Sequence, residues 1–256
     1  MRILGWFYLA LIFGFIFLPV VVLVLFSFQD SRLPIPPFDG PTLKWYANVI
    51  GDRDLMGALT NSLIVSLASA AVALVLGFLA AQGLARIHLP GSVLMRGLMI
   101  APMTVSYLII ALGLLTVFNN IGIRPSLWTT GIGHVVINLP LCFAIVFAAM
   151  GDHQKNAERA ARDLGASDAK VMFFVTAPML MPSLLAAYFL SVTFSWDEFI
   201  IAFLLTRFEV TLPVEIWSML RSGLSPATNA IGSLVFLVSV ALLIILEVTV
   251  FRKARS

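Results

Sequence analysis

Ser191-Val192-Thr193-Phe194-Ser195-Trp196-Asp197-Glu198-Phe199-Ile200-Ile201-Ala202-Phe203-Leu204-Leu205 sets two neighbouring carboxylates into an apolar run that extends from residue 171 to residue 205. A helix needs about 20 mostly apolar residues to cross the hydrocarbon core of a bilayer, and this run is longer than that. A carboxylate at mid-helix depth costs about 2.5–3.5 kcal/mol on insertion scales, so two in succession have to be used or paired. The stretch therefore reads as a membrane helix that carries a functional acid pair, Asp197 and Glu198.

The rest of the chain agrees. Of its 256 residues, 60% are hydrophobic and 11% are charged, where soluble domains run near 45–50% and about 25%. The mean hydropathy is +1.01. A soluble enzyme, a nucleic-acid binder and a disordered chain are excluded, and a net charge of +3 gives no reason to invoke a polyanion. Charge-poor runs mark six spans, at about 4–28, 57–84, 97–120, 127–150, 175–205 and 226–249. In lipid every backbone group must find its partner within the segment, so each span is a helix. The expected fold is all-α, a polytopic membrane protein in which residues 1–256 form a single transmembrane domain. The first run is too long for the apolar core of a signal peptide and no small-x-small cleavage site follows it, so it is expected to remain as a span. Kinks are expected near Pro102, Pro140, Pro178 and Pro182.

Ten of the sixteen lysines and arginines, among them Arg86, Arg96, Lys155 and Arg159, fall on the N-terminal side of the membrane. The bias of basic residues toward the cytoplasm then puts both termini and the polar loop at 151–170 inside. Trp45, Tyr46, Trp128 and Trp217 fall at outer boundaries and Trp6 at an inner one. The outer stretch Thr42-Leu43-Lys44-Trp45-Tyr46 reads as a short helix on the membrane surface.

The chain has no Gly-x-x-x-x-Gly-Lys-Ser/Thr loop, so it does not hold ATP in that way. Its lone cysteine, Cys142, excludes a disulfide framework and reads as a small apolar filler. His88, His134 and His153 are scattered; His134 and Asn138, one turn apart, read as polar glue between helices rather than as a proton relay. On a continuous helix through 205, Val192, Trp196, Phe199 and Phe203 form one bulky stripe. Asp197 and Glu198 flank the opposite direction, with Phe194 between them and Ser195 on the Glu198 side. Carboxylates beside small hydroxyls suit a polar pathway, and the face of Phe194 suits a cation. Asp197, Glu198, Phe194 and Ser195 are therefore the candidate substrate-pathway residues. Within the inner loop, Asn156 to Asp168 reads as a short helix stopped by Gly165, with a small pair, Ala160-Ala161, that permits close approach by another protein.

That loop resembles a known family. Arg159-Ala160-Ala161-Arg162-Asp163-Leu164-Gly165-Ala166-Ser167, continuing to Ala177-Pro178, is similar to the Glu-Ala-Ala…Gly…Leu-Pro loop of binding-protein-dependent ABC importer permeases. Ser195-Trp196-Asp197-Glu198-Phe199-Ile200-Ile201, Thr211-Leu212-Pro213-Val214, Ile216-Trp217-Ser218-Met219 and Gly223-Leu224-Ser225-Pro226 resemble the spermidine/putrescine branch, as does Thr42 to Tyr46. Arg159 stands where the loop usually has glutamate, with Glu158 displaced by one position, and two aspartates of the branch appear as Asp197-Glu198.

The resemblance implies the type I ABC importer permease fold in a bacterial inner membrane, and a non-catalytic subunit. It implies a dimer of ATP-binding subunits, a second permease, a periplasmic solute-binding protein and a small cationic amine such as putrescine or spermidine. ATP and magnesium would sit on the partner subunits, with no cofactor on this chain. Glu158, Arg159, Ala160, Ala161, Asp163 and Gly165 would couple it to the ATPase. An opine, a zwitterion or a quaternary amine is the alternative solute, and a stand-alone secondary transporter the alternative class.

Overall fold

The computed structural model describes residues 2–87, 90–223 and 225–255. His88 and Leu224, named above, lie outside them. The elements follow in order: α1 (Arg2–Ser27), α2 (Lys44–Gly51), α3 (Arg53–Arg86), α4 (Ser92–Ile100), a 3₁₀ turn (Ala101–Thr104) and α5 (Tyr107–Asn120). Then come α6 (Leu127–Ala149), α7 (Asp152–Asp163), α8 (Asp168–Val171), a π-helical turn (Met172–Thr176) and α9 (Ala177–Met179). α10 (Met181–Trp196), α11 (Ile200–Leu205), α12 (Leu212–Ser222) and α13 (Pro226–Arg255) complete the chain. No strand occurs among the described residues, only an isolated bridge between Gln29 and Pro41.

Four of these helices are long and apolar enough to cross a membrane, and six spans result if two bent pairs each count as one. The bends coincide with prolines. The helix through Thr104 turns by 102° into α5 after Pro102, and the stretch ending at Met179 turns by 75° into α10 between Pro178 and Pro182. Pro140, by contrast, sits within an unbroken α6.

The chain divides into two compact units, Met1–Leu59 with Leu212–Ala241, and Thr60–Thr211 with Leu242–Ser256. In the first, a Cβ on Gly232 of α13 would lie 3.1 Å from Leu23 of α1. The buried Gln29 side chain donates to Ser31 Oγ and to the carbonyls of Ile35 and Pro37, and accepts from the Asp39 N–H. Trp45 Nε1 donates to the Gln29 carbonyl, and the Tyr46 and Ser27 hydroxyls pair at 2.7 Å. These bonds seat α2, the surface helix read from the sequence, against the end of α1.

In the second unit, Ala73, Phe78 and Ala81 of α3 pack with Cys142, Phe143 and Val146 of α6 and with Ala187 of α10. Helices in lipid gain little from hydrophobic exclusion and associate where small residues let their backbones approach. Gly77 supplies that approach: a Cβ there would lie 2.8 Å from Cys142 Cβ and 2.8 Å from the Phe143 nitrogen. Ala111 and Phe118 of α5 pack with Ile137 of α6 and with Ile201 and Leu205 of α11 in a second cluster.

Candidate functional site

The acid pair marks a break. The expected stripe of Val192, Trp196, Phe199 and Phe203 does not exist, because α10 ends at Trp196 and a new short helix begins at Ile200. Val192 and Trp196 are buried, while Phe203 is 47% exposed and stacks on Phe199 with ring centroids 5.3 Å apart. The cause lies in Glu198. Its Oε1 accepts the Ile200 N–H at 2.9 Å, and its Oε2 accepts those of Ile201 at 2.8 Å and Ala202 at 3.3 Å. The first N–H groups of a helix have no carbonyl partner of their own, and a carboxylate that serves three of them lets a new helix begin at Ile200.

The far end of α11 is fixed as well. The Leu205 carbonyl accepts the Ser126 N–H at 2.9 Å and the Thr129 hydroxyl at 2.7 Å, both at the start of α6. Midway, Gly133 of α6 has no side chain to keep Ile201 away: a Cβ there would fall 2.5 Å from Ile201 Cγ2.

The two acids thus occupy different environments. Asp197 is exposed and Glu198 is buried, 6% accessible. Phe194 is 53% exposed, whereas Ser195 is buried within a polar network. The Ser195 hydroxyl bonds to His134 Nδ1 and lies 3.2 Å from the Ser69 hydroxyl. His134 Nε2 lies 3.7 Å from Glu198 Oε2 and has no hydrogen-bond partner among the described residues. α3, α6, α10 and the break therefore meet through Ser69, His134, Ser195 and Glu198. The spacing of His134 and Asn138 along α6 gave no sign of this convergence, since the partners come from other helices. Asn138 Nδ2 has no partner among the described residues, and Cys142 Sγ lies 3.1 Å from the Ser191 hydroxyl.

Ser69 also lines a cleft of about 430 Å³ between α3 and α6, together with Val65, Val72, Trp128, Val135 and Glu209. The Asn61 side chain donates to the Val210 carbonyl at 3.0 Å and so holds the segment that carries Glu209 against α3.

On the polar loop at 151–170, α7 covers residues Asp152–Asp163 and ends as Gly165 implied. The Gly165 N–H donates to Arg162 and the Ala166 N–H to Ala161, with Gly165 at φ +87°. This pair of bonds is the Schellman termination, which needs a left-handed residue. Arg159, Ala160, Asp163 and Gly165 are exposed and Ala161 is half-buried. Leu164 is 89% exposed. Glu158 differs from its neighbours. It is fully buried, accepts Arg86 Nε at 2.7 Å and Arg86 Nη2 at 3.1 Å, and receives the Thr176 hydroxyl at 2.9 Å. No group of three or more His, Cys, Asp or Glu side chains suited to a metal occurs among the described residues.

Comparison with known proteins places this geometry. The family described as "Binding-protein-dependent transport system inner membrane component" matches residues 73–255. The spermidine/putrescine transport system permease protein PotC of Escherichia coli (strain K12) is 28% identical over 257 residues, covering 100% of this chain and 97% of the relative. The putrescine transport system permease protein PotI of the same strain is 31% identical over 240 residues, covering 90% of this chain and 85% of the relative. Among solved structures, a bacterial ABC transporter involved in the import of the acidic polysaccharide alginate superposes with a TM-score of 0.66 at 18% identity, covering 98% of this chain and 96% of that one. The alginate transporter in complex with its pentasaccharide-bound periplasmic protein gives a TM-score of 0.70 at 15% identity, covering 96% and 91%. At these identities the superpositions establish the fold.

Proposed function

Since the chain belongs to the family of binding-protein-dependent transport system inner membrane components, we propose that it is a permease subunit that passes a small cationic amine, of the putrescine or spermidine kind, through the inner membrane. The names of PotC and PotI support the solute class. The observation that carries it is the exposed carboxylate of Asp197 at a helix break within an otherwise apolar stretch. A bare carboxylate in such a setting is a natural counter-charge for an ammonium group, and Phe194, exposed three residues earlier on α10, offers a ring face to the same cation.

In this reading residues 1–256 form one permease domain of six spans with both termini in the cytoplasm. Glu198 keeps the break open by capping α11, and Ser195 ties α10 to α6 through His134, so both act on the pathway from behind its wall. The exposed residues Arg159, Ala160, Asp163 and Gly165, with Ala161 behind them, form the surface that an ATP-binding subunit grips. ATP and magnesium belong to a dimer of those subunits; a second permease completes the pathway and a periplasmic protein delivers the solute. The subunit itself makes and breaks no covalent bond. Coupling requires that α7 have different contact energies in the two nucleotide states, because a partner with equal affinity for both conformations shifts neither.

The test is uptake of labelled putrescine into proteoliposomes that hold the assembled transporter. Asp197→Asn is expected to lower uptake at least tenfold at unchanged assembly. Uptake at the wild-type rate by that variant refutes the counter-charge role, and no competition by any diamine or polyamine refutes the solute class.

A further inference from the structure

Of the two acids of α7 that the resemblance offers as contacts for a partner, Asp163 is exposed and Glu158 is turned the other way. Glu158 is fully buried, and its two oxygens receive Arg86 through the guanidinium fork and Thr176 through its hydroxyl. Arg86 is the last residue of the 34-residue helix α3, and its side chain is 13% exposed. Thr176, also fully buried, closes the π-helical turn Met172–Thr176 within the first half, Asp168–Met179, of the bent pair that ends at Trp196. One carboxylate thus joins the inner-loop helix, the cytoplasmic end of a long apolar helix and the first half of a broken span.

We infer that the Arg86–Glu158–Thr176 junction is the mechanical link of this subunit: it makes α7 and α3 move as one body when the ATP-binding subunits pull on the outer face of α7. The inference rests on the importer reading above and adds to it the residues that carry the displacement inward. Three features support it. A bidentate guanidinium–carboxylate pair fixes angle as well as distance, which a single ammonium contact does not. Removing one partner of a buried pair leaves the other charge stranded, so the junction resists being pulled apart under load. The route through the loop is also short of alternatives, since Arg162 and Asp168, the other ion pair on this loop, are exposed and join α7 only to α8. Arg86 and Glu158 are in this sense positioning residues, and the surface that a partner meets is the exposed set around Arg159 and Leu164.

The experiment uses the complete transporter in nanodiscs with spin labels at His153→Cys on α7 and Leu79→Cys on α3. In the wild type the label-to-label distance is expected to stay single and unchanged between the nucleotide-free state and the ADP–vanadate-trapped state. Glu158→Gln and Arg86→Lys are expected to co-purify with the ATP-binding subunit and keep basal ATP hydrolysis within about twofold. They are expected to split that distance on trapping and to lose at least fivefold of the stimulation by the putrescine-loaded binding protein. The Arg86→Gln/Glu158→Gln double variant should be no worse than either single variant. An unchanged distance with full stimulation in either variant overturns the inference. So does loss of assembly in Glu158→Gln while Arg86→Lys remains fully coupled, since the pair is then a folding staple. If the wild type does not co-purify with an ATP-binding subunit, the importer reading fails and the link falls with it; if it co-purifies but putrescine gives no stimulation, only the solute class fails and the distance measurement decides the link.

Discussion

Replacing Glu198 by glutamine separates the two neighbouring acids by what each is for. The carboxylate accepts three backbone N–H groups, at 2.9, 2.8 and 3.3 Å, with the two nearest α11's second turn sharing one oxygen. An amide keeps a single oxygen. If that oxygen stays with Ile201 and Ala202, the NH₂ group faces the Ile200 N–H, so one charge-assisted bond is lost and two donors oppose each other. Hydrogen bonds to charged groups contribute about 1.5–3 kcal/mol and loss of a helix N-cap costs about 0.5–2 kcal/mol, so the variant is expected to lose about 2 kcal/mol. For a chain of this size that corresponds to a fall in Tm of roughly 4–8 °C. Glu198→Ala, which removes all three bonds, should fall further, and Asp197→Asn, altered at an exposed side chain, should stay within about 1 °C. Tryptophan fluorescence during thermal unfolding in detergent reads this directly, because Trp196 adjoins the break. A Glu198→Gln protein that melts with the wild type, or an Asp197→Asn protein that melts as early as Glu198→Gln, refutes the assignment of the cap.

Gly77→Ala is expected to destabilise by at least 1–3 kcal/mol, since its Cβ would lie 2.8 Å from the backbone nitrogen of Phe143, whereas Gly113→Ala, with open space around it, should melt with the wild type. Gly165→Val has room but must adopt φ +87°, a strain of about 1–3 kcal/mol; it is expected to reach the membrane and to lose stimulation of the ATPase, while Gly165→Asn, which tolerates that conformation, retains most of it. Burial and then the neighbouring Asp54 and Asp52 carboxylates hold the Glu215 carboxyl above its ordinary range. A group that binds its proton more tightly in the folded state loses stability as pH rises from its ordinary value through the raised one. Melting curves of wild type and Glu215→Gln should therefore converge below the ordinary glutamate range and separate above it, with the variant the more stable.

Helices long and apolar enough to cross a bilayer were legible because length and composition alone decide that property, and four unbroken ones lie within a few residues of four of the runs read from the sequence. The termination of α7 was legible too, because a left-handed glycine after a polar helix is a local device. What periodicity concealed was the break at Asp197–Phe199. An apolar run with two acids scans as one helical face, and nothing local says that Glu198 folds back onto the three amides that follow it. The partner of His134, read only as polar glue between helices, and the role of Arg86 were not legible for a related reason: each meets its partner from a distant part of the chain, Ser195 in one case and Glu158 in the other. Glu158 could not be told from its exposed neighbours by composition, since a helix face acquires its inward side only from what packs on it.

Because Glu198 is buried and spent on its own backbone, the break between α10 and α11 presents one accessible carboxylate where the letters of the sequence promise two. A diamine resting against Asp197 would have one end neutralised and the other still bare. Under the proposed function the second charge would be met by another carboxylate, on this chain or on a partner permease, and the distance from Asp197 to that group would be the ruler against which the length of the solute is measured.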